Sequence, residues 1–276
     1  MRTVEEYLSG FQEEEFNILV YISTGWGGAT MLEGFHEVTS YFPAMVDTRT
    51  DELIVADGRI EALVKNEEYK AHTYHRLSDN VICRLRVVKC IQKELGPDIL
   101  PSMNNRYHLL SIVEEEAFCP ELEAFREEYL KDVVIDVYGE EFLLNRRFKW
   151  YEGQVQISGD CCEVYLNLDK GSQDKADTAA SRLEALMSNI NELDGKIKEF
   201  CVEKMLDTAN ECKEDDDDPD ITAEQFKENM GSPVSIEIRG SGKATISYGD
   251  NDMFGGHEIQ IELTSDDEIK DWDIVG

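Results

Sequence analysis

"GEEFLLNRRFKWYEGQVQISGDCCEVYLNLD", Gly139 to Asp169, decides the fold class of this chain. Apolar and polar residues alternate in "EFLLNRRFKW", "GQVQIS" and "CEVYLNLD", and "YEG" and "GDC" divide them. A period of two puts successive side chains on opposite sides of a pleated strand. With "VVIDVY" and "GEE" just upstream, the stretch reads as a meander of short antiparallel strands.

Downstream the period changes to that of a helix. Ser172 is expected to open a long one, in which Ala176, Ala179, Ala180, Leu183, Leu186, Met187 and Ile190 form one apolar stripe. Asp194 is expected to cap a second helix, with Ile197, Phe200, Cys201 and Met205 turned inward. "TAEQ", Thr222 to Gln225, is a capping box for a third, shorter helix that Gly231 ends. Alternation then returns in Val234, Ile236 and Ile238, and again in Ala244, Ile246 and Tyr248.

Upstream, "TVEE" at Thr3 to Glu6 is another capping box, followed by a strand from Phe16 to Ile22 that "TGWGGAT" is expected to break. "ELIVADGRIEALV" reads as a hairpin turning at Asp57-Gly58, a pair suited to a turn with two positive φ angles. "NVICRLRVVKCI" and "RYHLLSIVEE" predict strands, "GPDILPSMNN" a loop, and "CPELEAFREEYL" a helix with Pro120 in its first turn. Strands, then helices, then strands predict an α+β protein: antiparallel sheets with a helix pair packed on the C-terminal sheet. Two domains are expected, residues 1–132 and residues 133–276, the first of unknown family.

Charge is the strongest compositional signal: 27 Lys+Arg against 59 Asp+Glu give a net charge of −32 in 276 residues. Such a surface repels phosphate backbones, so nucleic acid is not an expected partner; it attracts a basic protein, and it also keeps a chain soluble. No apolar run is long enough for a membrane span, and the acidic start is unlike a signal peptide, which predicts a cytoplasmic protein. Seven scattered cysteines without a C-x-x-C pair predict neither a disulfide framework nor zinc. No motif calls for a cofactor.

"YGDNDMFGGHEIQIEL", Tyr248 to Leu263, brings Asp250, Asp252, His257 and Glu258 close in sequence. Strand parity places His257 with Ile259, Ile261 and Leu263, and Glu258 on the other side, so the two cannot serve one site. An EF-hand fails, because Phe254 and Ile261 stand where oxygen ligands belong. The residues read first as a turn, with His257 packing. The competing reading makes Asp250, Asp252 and His257 a metal or catalytic site, in which a carboxylate meets the imidazole. Among other candidates, "STGWGGAT" lacks the spacing of a phosphate loop, but an exposed Trp26 would suit protein binding. His72 and His75 could share a face only on a helix. The acidic run "KEDDDDPD", Lys213 to Asp220, reads as a solvated loop.

From Val134 to Gly276 the sequence resembles a bacterial domain of unknown function, family 2262. The meander, the helix pair, "ITAEQFKENM" and "NDMFGGHEIQIEL…DWDIVG" carry the resemblance, and Phe254, Gly256 and His257 match its terminal phrase. Gly255, and "NECK" after the second helix, stand where that family commonly has tryptophan. The resemblance implies an α+β domain and no established activity. By analogy, small acidic bacterial domains look like immunity proteins, which neutralise toxins of neighbouring cells. The expected function is therefore a non-enzymatic protein-binding module with a basic partner. The alternative is a metal-dependent or ligand-binding enzyme using Asp250, Asp252 and His257.

Overall fold

A ring of five strands organises the first half of the chain in the computed structural model, which describes residues 2–96, 101–169, 173–212 and 219–276. The chain divides into two compact units, Met1–Lys131 and Asp132–Gly276. The first contains β1 (Phe11–Ile22), β2 (Thr24–Met31), β3 (Phe35–Asp47), β4 (Glu52–Lys65), β5 (Val81–Cys90) and β6 (Arg106–Glu114). Three helices accompany them: α1 (Val4–Leu8), α2 (Asn66–Lys70) and α3 (Pro120–Tyr129). β1 pairs antiparallel with both β3 and β5, so the order β1-β5-β6-β4-β3 closes on itself, and β2 is added beside β3. Closure removes the unpaired edges that an open sheet would leave. Counting the five ring strands in chain order, the ring runs 1-2-3-5-4-1 with strands 3 and 5 parallel, the connectivity of the OB-type Greek-key barrel. Ile18, Val20, Ile22, Phe42, Ile60, Leu85, Val87 and Tyr107 form its core.

Two sequence expectations fail here. "ELIVADGRIEALV" is one continuous strand, not a hairpin. The chain reverses earlier, where Asp51 takes φ 54° and its amide donates to the Asp47 carbonyl. Gly58 instead lies opposite Phe42 beside an irregularity in the β3–β4 register. A Cβ there would come 2.1 Å from Phe42 Cζ and 2.6 Å from the Asn105 carbonyl oxygen, so glycine serves close approach, not a turn. The Asn105 amide donates to the carbonyls of Ala56 and Asp57, holding that bend. "TGWGGAT" does not break the sheet either: it forms β2, with the register shifting between Thr24 and Gly28. Tertiary pairing overrides the glycine signal, as strand propensity permits.

The second unit is an eight-stranded sheet of β7 (Val134–Val137), β8 (Glu140–Asn145), β9 (Trp150–Ile157), β10 (Asp160–Asn167), β11 (Pro233–Arg239), β12 (Ala244–Gly249), β13 (Glu258–Leu263) and β14 (Ile269–Val275). Its order is β14-β13-β12-β11-β10-β9-β8-β7, two antiparallel meanders laid side by side. The join corrects the expectation of antiparallel sheets, because β10 and β11 are parallel, as are β4 and β6 in the barrel. A parallel pair needs a long crossover. Here α4 (Gln173–Ser188), α5 (Ile190–Glu211) and α6 (Ala223–Met230) lie in the connection between β10 and β11. One apolar core takes in Leu183 and Leu186 of α4, Ile197 and Cys201 of α5, Phe226 of α6, and Val164, Ile236, Ile246 and Ile261 of the sheet.

The expected cap at Asp194 is also corrected. Asn189 is the N-cap of α5, and Asp194 lies inside the helix, accepting hydrogen bonds from Tyr248 Oη at 3.0 Å and Lys198 Nζ at 2.8 Å. A fully buried tyrosine hydroxyl needs such a partner, which explains an aspartate at an unfavoured interior position. Ser172 and residues 213–218 of the acidic run lie outside the described residues. Both capping boxes form as read, at Thr3 with Glu6 and at Thr222 with Gln225.

Candidate functional site

Asp250 to His257 form a knot of tight turns. Asn251 and Asp252 take φ 46° and 65°, and the Met253 amide donates to the Asp250 carbonyl at 3.0 Å. Gly255 and Gly256 follow at φ 78° and 82°. One side chain holds this together. Asp250 is only 4% exposed; its Oδ1 accepts from the Asp252 amide at 3.1 Å, and its Oδ2 accepts from Phe254, Gly256 and His257 at 2.9, 3.0 and 3.1 Å. Burial pushes the carboxyl up, but the backbone donors together outweigh it and leave it below the ordinary carboxylate range. Asp250 thus reaches the main chain of His257 and not its ring.

The His257 ring packs against Gly276, where a Cβ would lie 2.5 Å from His257 Cδ2. Its Nδ1 is buried and has no hydrogen-bond partner among the described residues. Among the described residues, no group of three or more His, Cys, Asp or Glu is arranged to hold a metal ion. His72 and His75 follow the end of α2 and share no helix; the first lies 2.9 Å from Arg76 Nη2 and the second 3.2 Å from Glu115 Oε1. Trp26 belongs to β2, and its side chain lies outside the described residues. Burial pushes the thiols of Cys83, Cys162 and Cys201 up to about 12, where a thiol is a poor nucleophile.

Periodicity gave no notice of a buried polar cluster in the barrel unit. Glu61, 1% exposed, lies on the side of β4 opposite the barrel-core residue Ile60 and pairs across the ladder with His108. His108 Nδ1 lies 3.1 Å from the hydroxyl of Tyr7, the one buried residue of α1. Arg106 Nη1 approaches Glu61 Oε1 at 3.4 Å, and Glu61 Oε2 has no partner among the described residues. Burial raises the Glu61 carboxyl to about 7, against the pull of Arg106; Glu37 raises it further, while Arg59 and Arg2 oppose the rise. The one available signal was a glutamate breaking an apolar run in "RIEALV".

The most extensive candidate is the side of the C-terminal sheet whose residues alternate with the core. Val164 and Leu166, Ile236 and Ile238, Ile246, Ile259 and Ile261 are buried; between them stand Tyr165, Glu237, Thr245, Ser247, Gln260 and Glu262. The ladder sets these in rows across the strands. One row runs Glu152, Tyr165, Glu237, Thr245, Glu262, Asp271, and the next runs Gln154, Glu163, Ser235, Ser247, Gln260, Asp273. Short side chains on the central strands, Ser235, Thr245 and Ser247, lie between longer ones, and a depression of about 500 Å³ results. A second, of about 720 Å³, adjoins it through Tyr165 and is lined by Glu140, Glu141, Glu152 and Glu163.

Nine carboxylates line the two depressions: Glu140, Glu141, Glu152, Glu163, Glu237, Glu258, Glu262, Asp271 and Asp273. Arg239 lies 3.6 Å from Glu237, and Lys270 lies 2.9 Å from Glu262. Trp150 is held in place by donating its indole N–H to Glu152 at 3.0 Å, with Tyr165 beside it at a ring separation of 5.0 Å. The Tyr165 hydroxyl donates to Glu163 at 2.5 Å; that bond, with burial and nearby carboxylates, pushes the phenol up to about 12. The surface can therefore hold positive charge and stack against flat cations. Sequence alternation contained these positions, but the neighbours of each residue depend on strand order.

Residues 136–274 match the family described as "Uncharacterized protein conserved in bacteria (DUF2262)", half of the chain, and the chain belongs to that family. Residues 3–129 match a second family, described as "Domain of unknown function (DUF7021)". No curated protein and no solved structure matches the chain.

Proposed function

We propose, with membership of that bacterial family as the premise, that the protein is a non-enzymatic binding module whose open C-terminal sheet face receives a basic protein. In this reading the helix pair covers one face of the sheet and leaves the other for the partner. The observation that carries it is the charge of that face: nine carboxylates line it, with Arg239 and Lys270 as the cations paired to them. Among the described residues the Glu258 carboxylate makes neither an ion pair nor a hydrogen bond, so its charge is available. Carboxylates arranged on one surface steer a cationic partner and set its orientation. A cationic toxin domain is the partner this reading proposes. The enzyme reading requires Asp250 to act on a ligand or on His257, yet its Oδ2 already accepts three backbone hydrogen bonds.

The test is a titration of the full chain with a panel of purified cationic toxin domains. Binding is expected to weaken about tenfold when Glu258, Glu262 and Asp273 are all changed to Lys, and to weaken with salt over roughly 50 to 300 mM. Changing Asp207, Glu224 and Glu228 on the helices to Lys is expected to leave it within about twofold, since charges on a remote surface are screened. Equal weakening by both sets, or no binding by any member of the panel, would overturn this reading.

A further inference from the structure

Resting on the docking face proposed above, we infer that the depression over Ser247 is a subsite for a guanidinium group, an arginine side chain of the basic partner. Ser247 is 3% exposed, yet it lines the depression, and its hydroxyl makes no hydrogen bond among the described residues. The hydroxyl opens to the depression and is not sealed in the core, so a donor on a ligand can take the place of solvent there. Its neighbours follow from the ladder. Ser235 and Gln260 stand directly across from it on β11 and β13, and Glu258 and Glu262 lie on the two diagonals. Asp273 stands across from Gln260 at the edge strand.

This ring of acceptors selects the ligand. An anion would meet the Glu258, Glu262 and Asp273 carboxylates, and an apolar group would leave Ser247 and Gln260 without partners. An ammonium is a point charge with three donors and cannot span acceptors placed on both diagonals and on the floor. A guanidinium is planar and carries five donors in a fixed fork, which suits the Glu258 and Glu262 carboxylates flanking Gln260 on β13 with the Ser247 hydroxyl beside them on β12. Tyr165 closes the β10 side of the depression with an aromatic face, along which the apolar stem or the plane of the head can lie.

The experiment compares two peptides of equal length and charge, one arginine-based and one lysine-based, titrated calorimetrically into the full chain. The arginine peptide is expected to bind about tenfold more tightly. Ser247→Ala and Glu258→Gln are each expected to shrink that preference to within about threefold, with the melting temperature of each variant measured alongside. Equal binding of the two peptides to the wild type would overturn the subsite, and so would a preference that survives both variants. If both peptides bind equally and the charge reversals above still weaken binding of the toxin domains, the acidic docking face stands and only the guanidinium assignment fails.

Discussion

Among the described residues, each half of the molecule buries one carboxylate almost completely, and the two have opposite fates. Asp250 in the C-terminal unit is 4% exposed and its carboxyl is held below the ordinary range; Glu61 in the barrel unit is 1% exposed and its carboxyl is raised to about 7. Burial disfavours the charged form in both. The difference lies in the donors. Four backbone N–H groups converge on Asp250, whereas Glu61 has Arg106 at 3.4 Å and an Oε2 with no partner among the described residues. Asp250 is the centre around which a turn is wound, and Glu61 is a titratable group sealed beside the contact between α1 and β6. The number and aim of hydrogen-bond donors, more than depth, decide whether a buried carboxylate remains charged.

The largest expected effect tests the Asp250 side of this contrast. Asp250→Ala strands four amide donors, and on the order of 3–4 kcal/mol of stability in the C-terminal unit is expected to be lost in urea denaturation. Asp250→Asn keeps one acceptor oxygen and is expected to lose about half as much. Equal stability of Asp250→Ala and wild type would remove the organising role given to this side chain.

Next is the pH response of the barrel unit. Glu61 holds its proton more tightly when folded, at about 7, than its ordinary value of 4.5, so its protonation favours the folded state. That stability is complete below pH 4.5, is lost as pH rises from 4.5 to 7, and stays lost above 7. The span amounts to about 3 kcal/mol. Glu61→Gln keeps a neutral group of the same shape, and the difference between wild type and variant is expected to track that window in denaturation curves taken between about pH 4 and 8. A difference independent of pH would show that Glu61 titrates normally.

The smallest effect compares two capping boxes of the same design, one closed by Glu6 and the other by Gln225. Thr3→Ala and Thr222→Ala each remove a capping-box hydroxyl, which costs about 1 kcal/mol at a helix N-terminus. α1 has five residues and buries Tyr7, while α6 has eight and buries Phe226 and Met230. The loss is therefore expected to unfold α1 locally, seen as faster amide hydrogen exchange at Glu6 and Tyr7, whereas Thr222→Ala lowers the stability of its whole unit. The opposite pattern would mean that α1 is held by its cap less than by the Tyr7–His108 contact.

The meander was legible because alternation is a property of neighbours in sequence, but its second turn falls at residues 146–149, inside "EFLLNRRFKW", and "YEG" is part of β9 and divides nothing. The stripe Ala176, Ala179, Leu183, Leu186 was legible for the same reason, and all four are buried. Both capping boxes span four residues and formed as read. Asp57-Gly58 misled because its turn chemistry was real but its setting was not local: the space at Gly58 is filled by Phe42 and Asn105, distant in sequence. Asp194 misled likewise, since its partner Tyr248 lies on another strand. The candidate face was half legible. Parity separated Glu258, Gln260 and Glu262 from His257's side, but nothing in the chain announced that Ser235 and Ser247 would stand side by side among them.

Local periodicity and capping chemistry thus determined most of the strands and helices and the polar side of the C-terminal strands, but not β2, the continuity of β4 or the burial of Glu61. The tertiary structure alone decided that β1 closes a barrel by pairing with both β3 and β5, that β10 and β11 run parallel, and that a ring of acceptors surrounds Ser247. The physical reason is one of range. Backbone preference and side-chain alternation act over a few residues, whereas burial, partner number and the proton affinity of a carboxyl depend on groups that meet only after the chain has folded.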